Sequence, residues 1–320
     1  MTARKSPKKA AKRKLQKQNA KVPKRASTGM TAASLVRETV RRYATSDLVF
    51  AHGTTDPVAE AAFLLCETLK VHPAEFERIA NKTVAPDQIE RFRNLVEQRV
   101  STRKPAAYLV NRMYMLDQPF YVDERVIVPR SFLGELLDTH FDSGELSLVD
   151  DPASIDRVLD LCTGSGCLAI LAAQRFPSAR IDAVDLSAEA LEVAARNVAD
   201  YDLEDRITLH RGDLFGAIGN ARYDLIITNP PYVDAGGMAE LPRECRHEPK
   251  IAFDGGADGL DIVRRILGEV KRHLTPNGGL LCEIGRGRNN LDRAYPNLPL
   301  LWLDTDDSEG EVFWTEADAL

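Results

Sequence analysis

The run Asn229-Pro230-Pro231-Tyr232 gathers groups that can act on a flat amide or amino group. The Asn229 side-chain oxygen and the Pro230 carbonyl can each accept one N–H from a planar NH2 group. Tyr232 offers a ring that lies against the target's flat face. A planar NH2 nitrogen is a poor nucleophile because its lone pair is delocalised. Two acceptors that hold both hydrogens bias the lone pair toward an electrophile and stabilise the charge that develops on nitrogen. Taken alone, the tetrapeptide also fits an ordinary turn after a strand.

A second set lies upstream. Val158-Leu159-Asp160-Leu161 leads into Cys162-Thr163-Gly164-Ser165-Gly166-Cys167, and Asp185 follows 19 residues beyond Gly166. Glycines let the backbone turn tightly and let a ligand approach it. An acid at the end of the next strand can accept both ribose hydroxyls of a nucleoside. Asp213 can accept from an adenine amino group while Leu214 or Phe215 covers the ring. The glycine spacing alone also fits a dinucleotide. Asp160 favours S-adenosylmethionine, because a carboxylate just ahead of the glycines suits an amino-acid end and repels a pyrophosphate.

These residues need a scaffold that brings strand ends together. Strands are expected near 157–161, 180–185, 206–210, 223–228, 278–284 and 299–303, with helices near 167–176, 187–200 and 258–274. The alternation predicts a parallel sheet covered on both faces, closed by an antiparallel strand at Val312-Phe313-Trp314. Pro230 ends the fourth strand and pushes Asn229 into extended geometry, so the reactive corner sits at a strand end. Ahead of the sheet, helical periodicity runs from Thr31 to Tyr43, from Asp56-Pro57 to Leu69, around Glu75–Ile79 and from Pro86 to Val100. Residues 104–130 read as a β-hairpin connector, in which 108–110, 113–115, 120–122 and 126–128 alternate like strands about Asp117-Gln118. Ser131 is expected to cap a helix through Leu137. The resulting division is 1–27, a disordered basic arm; 28–103, a helical substrate-recognition domain; 104–130, the connector; and 131–320, the sheet domain.

At 320 residues with 44% hydrophobic and 28% charged content, the chain reads as globular and soluble, with no apolar run long enough to span a membrane. Of 42 Lys and Arg, 12 lie in residues 1–37, which contain no acid, so the remainder carries a net charge of −18. The arm can contact ribosomal RNA through phosphate, and equally can serve only as a solubilising tail. The five cysteines, Cys66, Cys162, Cys167, Cys245 and Cys282, form no Cys-x-x-Cys pair and read as reduced thiols of a cytoplasmic protein with no metal site.

Residues 158–166 followed by Asn229–Tyr232 resemble the class I amino-methyltransferases. The helical N-terminal part and hairpin connector are similar to the N5-glutamine methyltransferases among them. Phe120 to Ser131, Gly134-Glu135-Leu136, Asp160 to Cys167, Tyr232–Ala235 and Arg246-His247-Glu248-Pro249 resemble the branch that modifies large-subunit ribosomal protein three. Phe253-Asp254-Gly255-Gly256 resembles the release-factor branch as much, and Arg243-Glu244-Cys245 departs from the family pattern. The resemblance implies a Rossmann-like, mostly parallel seven-stranded α/β fold. It implies S-adenosylmethionine bound by Asp160, Cys162, Thr163, Gly164, Ser165, Gly166, Asp185, Leu186, Asp213, Leu214 and Asn229. It implies methyl transfer to a glutamine side-chain amide at Asn229, Pro230 and Tyr232, with Pro231, Arg130 and Glu248 in substrate contact. A peptide-chain release factor is the alternative protein substrate. An adenine-N6 nucleic-acid methyltransferase would use the same corner, but the acidic body lacks a basic, aromatic-interleaved recognition domain. A ribosome-binding factor without activity would not need the Asn229–Tyr232 corner.

Overall fold

The computed structural model describes residues 29–142, 144 and 147–320. The basic arm read at 1–27 lies outside the described residues.

The N-terminal part is a layer of short helices. Thr31 caps α1 (Ala32–Tyr43) by accepting from the Ser34 N–H, and Asp56 caps α2 (Pro57–Leu69) from just ahead of a first-turn proline. A 3-10 turn at Pro73–Glu75 leads into α3 (Phe76–Ile79), and α4 (Pro86–Thr102) follows. Leu35, Phe63, Leu64, Phe92 and Val96 close the apolar centre between these helices. Short α5 (Ala106–Val110) ends at Asn111 in the left-handed conformation.

The connector differs from the sequence expectation. Residues 108–110 are helical, because Ala106, Ala107 and Tyr108 are buried on one short turn and the Tyr108 hydroxyl donates to the Val126 carbonyl. The hairpin is confined to β1 (Met113–Met115) and β2 (Gln118–Phe120). Leu116 and Asp117 both take positive φ at its two-residue turn, as a hairpin turn matched to strand twist requires. Residues 121–128 form no strand, and Val122, Val126 and Val128 are buried in one cluster with Val193. Ser131 Oγ accepts the Leu133 N–H, and α6 (Leu133–Thr139) runs two residues beyond the expected end.

The sheet contains β3 (Arg157–Leu161), β4 (Arg180–Asp185), β5 (Ile207–Arg211), β6 (Tyr223–Thr228), β7 (Leu274–Glu283), β8 (Leu301–Leu303) and β9 (Val312–Glu316), in the order β5-β4-β3-β6-β7-β9-β8. The first five are mutually parallel and β9 is antiparallel to both neighbours. Helices α7 (Cys167–Arg175), α8 (Ala188–Asp200), α9 (Ala235–Glu240), α10 (Asp261–His273) and α11 (Arg288–Ala294) connect the strands. Side chains of β3 alternate between two cores, with Val158 in the core of α6 and α7 and Leu159 in the core of α10. The strand order reverses between β3 and β6, and a doubly wound sheet opens its ligand crevice at the carboxyl ends of strands at such a point. This is the Rossmann-like, mostly parallel seven-stranded α/β fold that the sequence leads one to expect. Among the described residues no helix is long and apolar enough to cross a membrane.

Buried ion pairs join the helical layer to the sheet. Arg99 of α4 is fully buried, donates to Glu60 of α2 at 2.9 Å and approaches Glu244 at 3.7 Å. Glu244 also accepts the Val49 N–H at 3.1 Å. Beside them, His52 meets Glu248 at 3.1 Å, with Cys245 Sγ 3.5 Å from the same ring nitrogen.

Candidate active site

The turn after β3 is held from below. Thr163 donates its hydroxyl to Asp160 Oδ2 at 2.6 Å, and its backbone N–H binds the Val184 carbonyl at 3.0 Å. Gly164 has φ +56°, and a Cβ there would meet nothing within 4 Å. The backbone thus presents open space at a turn position where a left-handed conformation also favours glycine. Asp185 at the end of β4 orients this turn. One oxygen accepts the Gly164 N–H at 2.9 Å and the other the Ser187 N–H at 2.8 Å.

Asp160 is fully buried, and its Oδ1 has no hydrogen-bond partner. Burial pushes its carboxyl up to about 7. An orphaned, desolvated carboxylate oxygen is costly unless a ligand supplies a donor. Cys162 takes a positive φ of 60° and burial pushes its thiol up, so it lines the turn without being a thiolate. Leu186 is 53% exposed immediately after Asp185. Asp213 is exposed and paired with Arg265 at 2.8 Å, ahead of buried Leu214. Open turn, orphaned carboxylate, oriented Asp185 and exposed Leu186 together fit a nucleoside with a cationic amino-acid end.

The corner after β6 adjoins this turn across the sheet. Thr228, the last residue of β6, donates to the Leu161 carbonyl at 2.9 Å and ties the two strand ends together. Asn229 is half-buried, and among the described residues its carboxamide makes no hydrogen bond. Pro230 is buried beside it. The Tyr232 hydroxyl donates to Glu283 at 3.1 Å. Gly285 has φ +52°, and a Cβ there would lie 2.5 Å from Tyr232 Cε2, so the ring packs on bare backbone.

The family described as "Methyltransferase small domain" matches residues 138–241, and "PrmC N-terminal domain" matches residues 39–110. A ribosomal protein uL3 glutamine methyltransferase from Bradyrhizobium diazoefficiens is 64% identical over 92% of this chain and 94% of its own length. The chain belongs to that family. Proteins of the same name from Burkholderia pseudomallei (49% identical, 91% of this chain, 95% of its own) and Bordetella pertussis (46%, 88% and 93%) agree. The chain is a methyltransferase, and S-adenosylmethionine is its methyl donor.

Not every residue singled out in this methyltransferase's sequence reaches the open edge. Glu248 has no exposed side-chain surface. It accepts from Val128 N–H at 2.9 Å and from Arg130 at 2.9 and 3.2 Å, and it pairs with His52. Burial alone would raise its carboxyl, but the hydrogen bonds and charges of His52 and Arg130 hold it below the ordinary glutamate range. Arg130 also lies over the Phe253 ring at 5.7 Å, with 30% of its side chain exposed.

Two residues that position the site are not evident from motif reading. Asn197 of α8 is buried, donates to the Ser165 carbonyl at 2.8 Å and exchanges hydrogen bonds with the Tyr121 backbone, fixing the glycine turn against the connector. Glu283 sits at the end of β7 beneath Tyr232. Its signal is local: Cys282-Glu283-Ile284-Gly285 repeats the strand, acid and glycine order seen at Asp160.

Proposed function

We propose that the enzyme transfers a methyl group from S-adenosylmethionine to the N5 side-chain amide nitrogen of a glutamine in ribosomal protein uL3, in the cytoplasm. The observation that carries the reading is the free carboxamide of Asn229. It stands at the switch-point edge beside the glycine turn, in a chain whose curated relatives are named for this substrate.

S-adenosylmethionine supplies an electrophilic methyl on a positively charged sulfur. Asp160 and the Cys162–Gly166 backbone would hold its amino-acid end, with Oδ1 of Asp160 gaining the partner it lacks. Asp185 would take the ribose hydroxyls. Asp213 would accept from the adenine amino group, with Leu186 and Leu214 against the ring.

At the corner, Asn229 Oδ1 and the Pro230 carbonyl accept the two amide hydrogens of the glutamine. Tyr232, on the Pro231 turn, packs on the flat amide. This pairing turns the nitrogen lone pair toward the methyl carbon. The new N–C bond forms as the C–S bond breaks, and the nitrogen then loses one proton to water. No strong base is required, because methylation makes that N–H acidic. Arg130 and Glu248 act in the junction that sets the helical layer against this corner, and Arg130 can present its exposed part to the substrate. The basic arm would add contact with ribosomal RNA phosphate.

Asn229→Ala tests the reading. Turnover should fall by roughly 10²–10³, the usual cost of losing one preorganised hydrogen-bond partner of the reacting group. Cofactor affinity measured by calorimetry should fall far less than turnover, because Asn229 is one of eleven expected cofactor contacts and the glycine turn is untouched. Near wild-type turnover would remove Asn229 from the chemistry.

A further inference from the structure

We infer that Glu283 is the positioning residue of the methyl-transfer corner, locking the Tyr232 ring and the Ser131–Phe132 turn into one unit so that connector and amide-binding motif are set together. The inference rests on the glutamine-amide reading above and names what aims its aromatic wall.

Glu283 is 1% exposed. Its Oε1 accepts from the Tyr232 hydroxyl at 3.1 Å, and its Oε2 accepts from the Ser131 hydroxyl at 2.7 Å and the Phe132 N–H at 3.0 Å. The donors come from segments 152, 151 and 51 residues away in sequence. All three are neutral dipoles, and among the described residues Glu283 makes no ion pair. A buried carboxylate without a cation is an expensive choice for packing alone. It is a good choice where two oxygens must hold three donors in one plane.

The ring has little freedom once that hydroxyl is fixed, because its edge already lies on the Gly285 backbone. The other donors belong to the turn that follows Arg130. Arg130 is bound by Glu248, and Glu248 by His52 of the helical layer. A continuous set of contacts thus runs from the helical layer through Glu248, Arg130, Ser131 and Glu283 to Tyr232. Glu283 lies on β7, with β6 between it and the glycine turn at the end of β3. It should therefore govern how substrate is presented, not how cofactor is bound.

The same carboxylate gives the rate a pH signature. Burial pushes its carboxyl up to about 7, the Glu311 carboxylate adds to that, and the bonds from Ser131, Phe132 and Tyr232 oppose it. Cys282 on its own strand and Arg130 acting on Tyr232 are the other titratable or charged groups nearby. As pH falls through about 7 the carboxyl gains a proton, so one oxygen turns from acceptor to donor and the three-donor set has to rearrange. Turnover on the amide should fall on that side.

The test measures methyl transfer into purified uL3 by wild type, Glu283→Ala, Glu283→Gln, Tyr232→Phe and the Glu283→Ala/Tyr232→Phe double variant, with cofactor affinity measured alongside. Glu283→Ala should lose roughly 10- to 100-fold in kcat/KM with cofactor Kd within about threefold. The double variant should be slower than Glu283→Ala by no more than about twofold, because both changes remove one coupled unit. Glu283→Gln stands in for the protonated carboxyl: with S-adenosylmethionine saturating, so that Asp160 does not report, its rate should be flat near neutrality at about the low-pH level of wild type and above that of Glu283→Ala. Multiplying losses in the double variant, cofactor affinity falling in step with turnover, or an unchanged pH profile in Glu283→Gln would each overturn the positioning role. If Glu283→Ala does not fold, the same cycle run with Glu283→Gln and Tyr232→Phe decides. If wild type leaves every uL3 glutamine unlabelled, the glutamine reading fails and this inference falls with it. Labelling by wild type with multiplying losses sinks the positioning role alone.

Discussion

At the end of β3, Asp160 has one oxygen bound by Thr163 and one with no partner. At the end of β7 in the same sheet, Glu283 has both oxygens engaged, by Tyr232, Ser131 and Phe132. Both carboxylates are buried, and burial raises both to about 7. Burial and pKa therefore do not tell the two roles apart; the partner count does. The glycine-turn half leaves acceptor capacity open, as a ligand site must before its ligand arrives. On the substrate half the carboxylates of Glu283 and Glu248 are occupied inside the protein, and the open polar side chain is the neutral Asn229. That suits the chemistry on each side, with a cationic amino-acid end in one half and an uncharged amide in the other.

The largest break in this comparison should come from Glu248→Ala. It strands the Arg130 guanidinium, His52 and the Val128 N–H in a buried junction. Removing one partner of a buried pair costs about 3–5 kcal/mol, readable as a lower urea midpoint. A loss under about 1 kcal/mol, typical of an exposed pair, would mean the junction is not structural and would return Glu248 to a substrate groove.

Asp160→Asn should have a smaller effect with a sharper signature. Cofactor affinity should drop by about tenfold, the scale of one hydrogen bond to a charged group. In the ligand-free enzyme the sign reverses. Because the folded-state value is raised from 3.8 to about 7, the stability linked to the Asp160 proton is complete below pH 3.8 and is lost as pH rises through about 7. Asp160→Asn should therefore flatten the fall in melting temperature between pH 5 and 8. Cofactor binding by wild type near neutrality should also release a fraction of a proton, seen as buffer-dependent heat, and Asp160→Asn should release none. Weaker binding with unchanged proton release would place the cofactor's charge elsewhere.

The parts of this site that could be read from sequence are those where one residue dictates local geometry. Pro230 ends a strand and leaves Asn229 extended, and the glycines of 164 and 166 take the positive φ the turn needs. Alternating apolar runs gave the parallel strands within a few residues. Residues 108–110 read as a strand in the sequence because five residues are too few to show a helical period, and Tyr-Leu-Val favours strands until Ala106 and Ala107 are buried. The partners of Glu283 and Asn197 lie far away in sequence, 152 residues for Ser131 and 76 for Tyr121, so the local order at Glu283 does not by itself name what it holds. Glu248 stands in a recognisable motif, but its burial depends on His52, 196 residues earlier, which no local pattern reveals.

The central claim is tested most directly by transferring labelled methyl from S-adenosylmethionine into purified uL3, with peptide-chain release factors and DNA in parallel. Label in uL3, absorbed by one glutamine and abolished when that glutamine becomes alanine, is the predicted result. Label in release factors or nucleic acid with none in uL3 would contradict it.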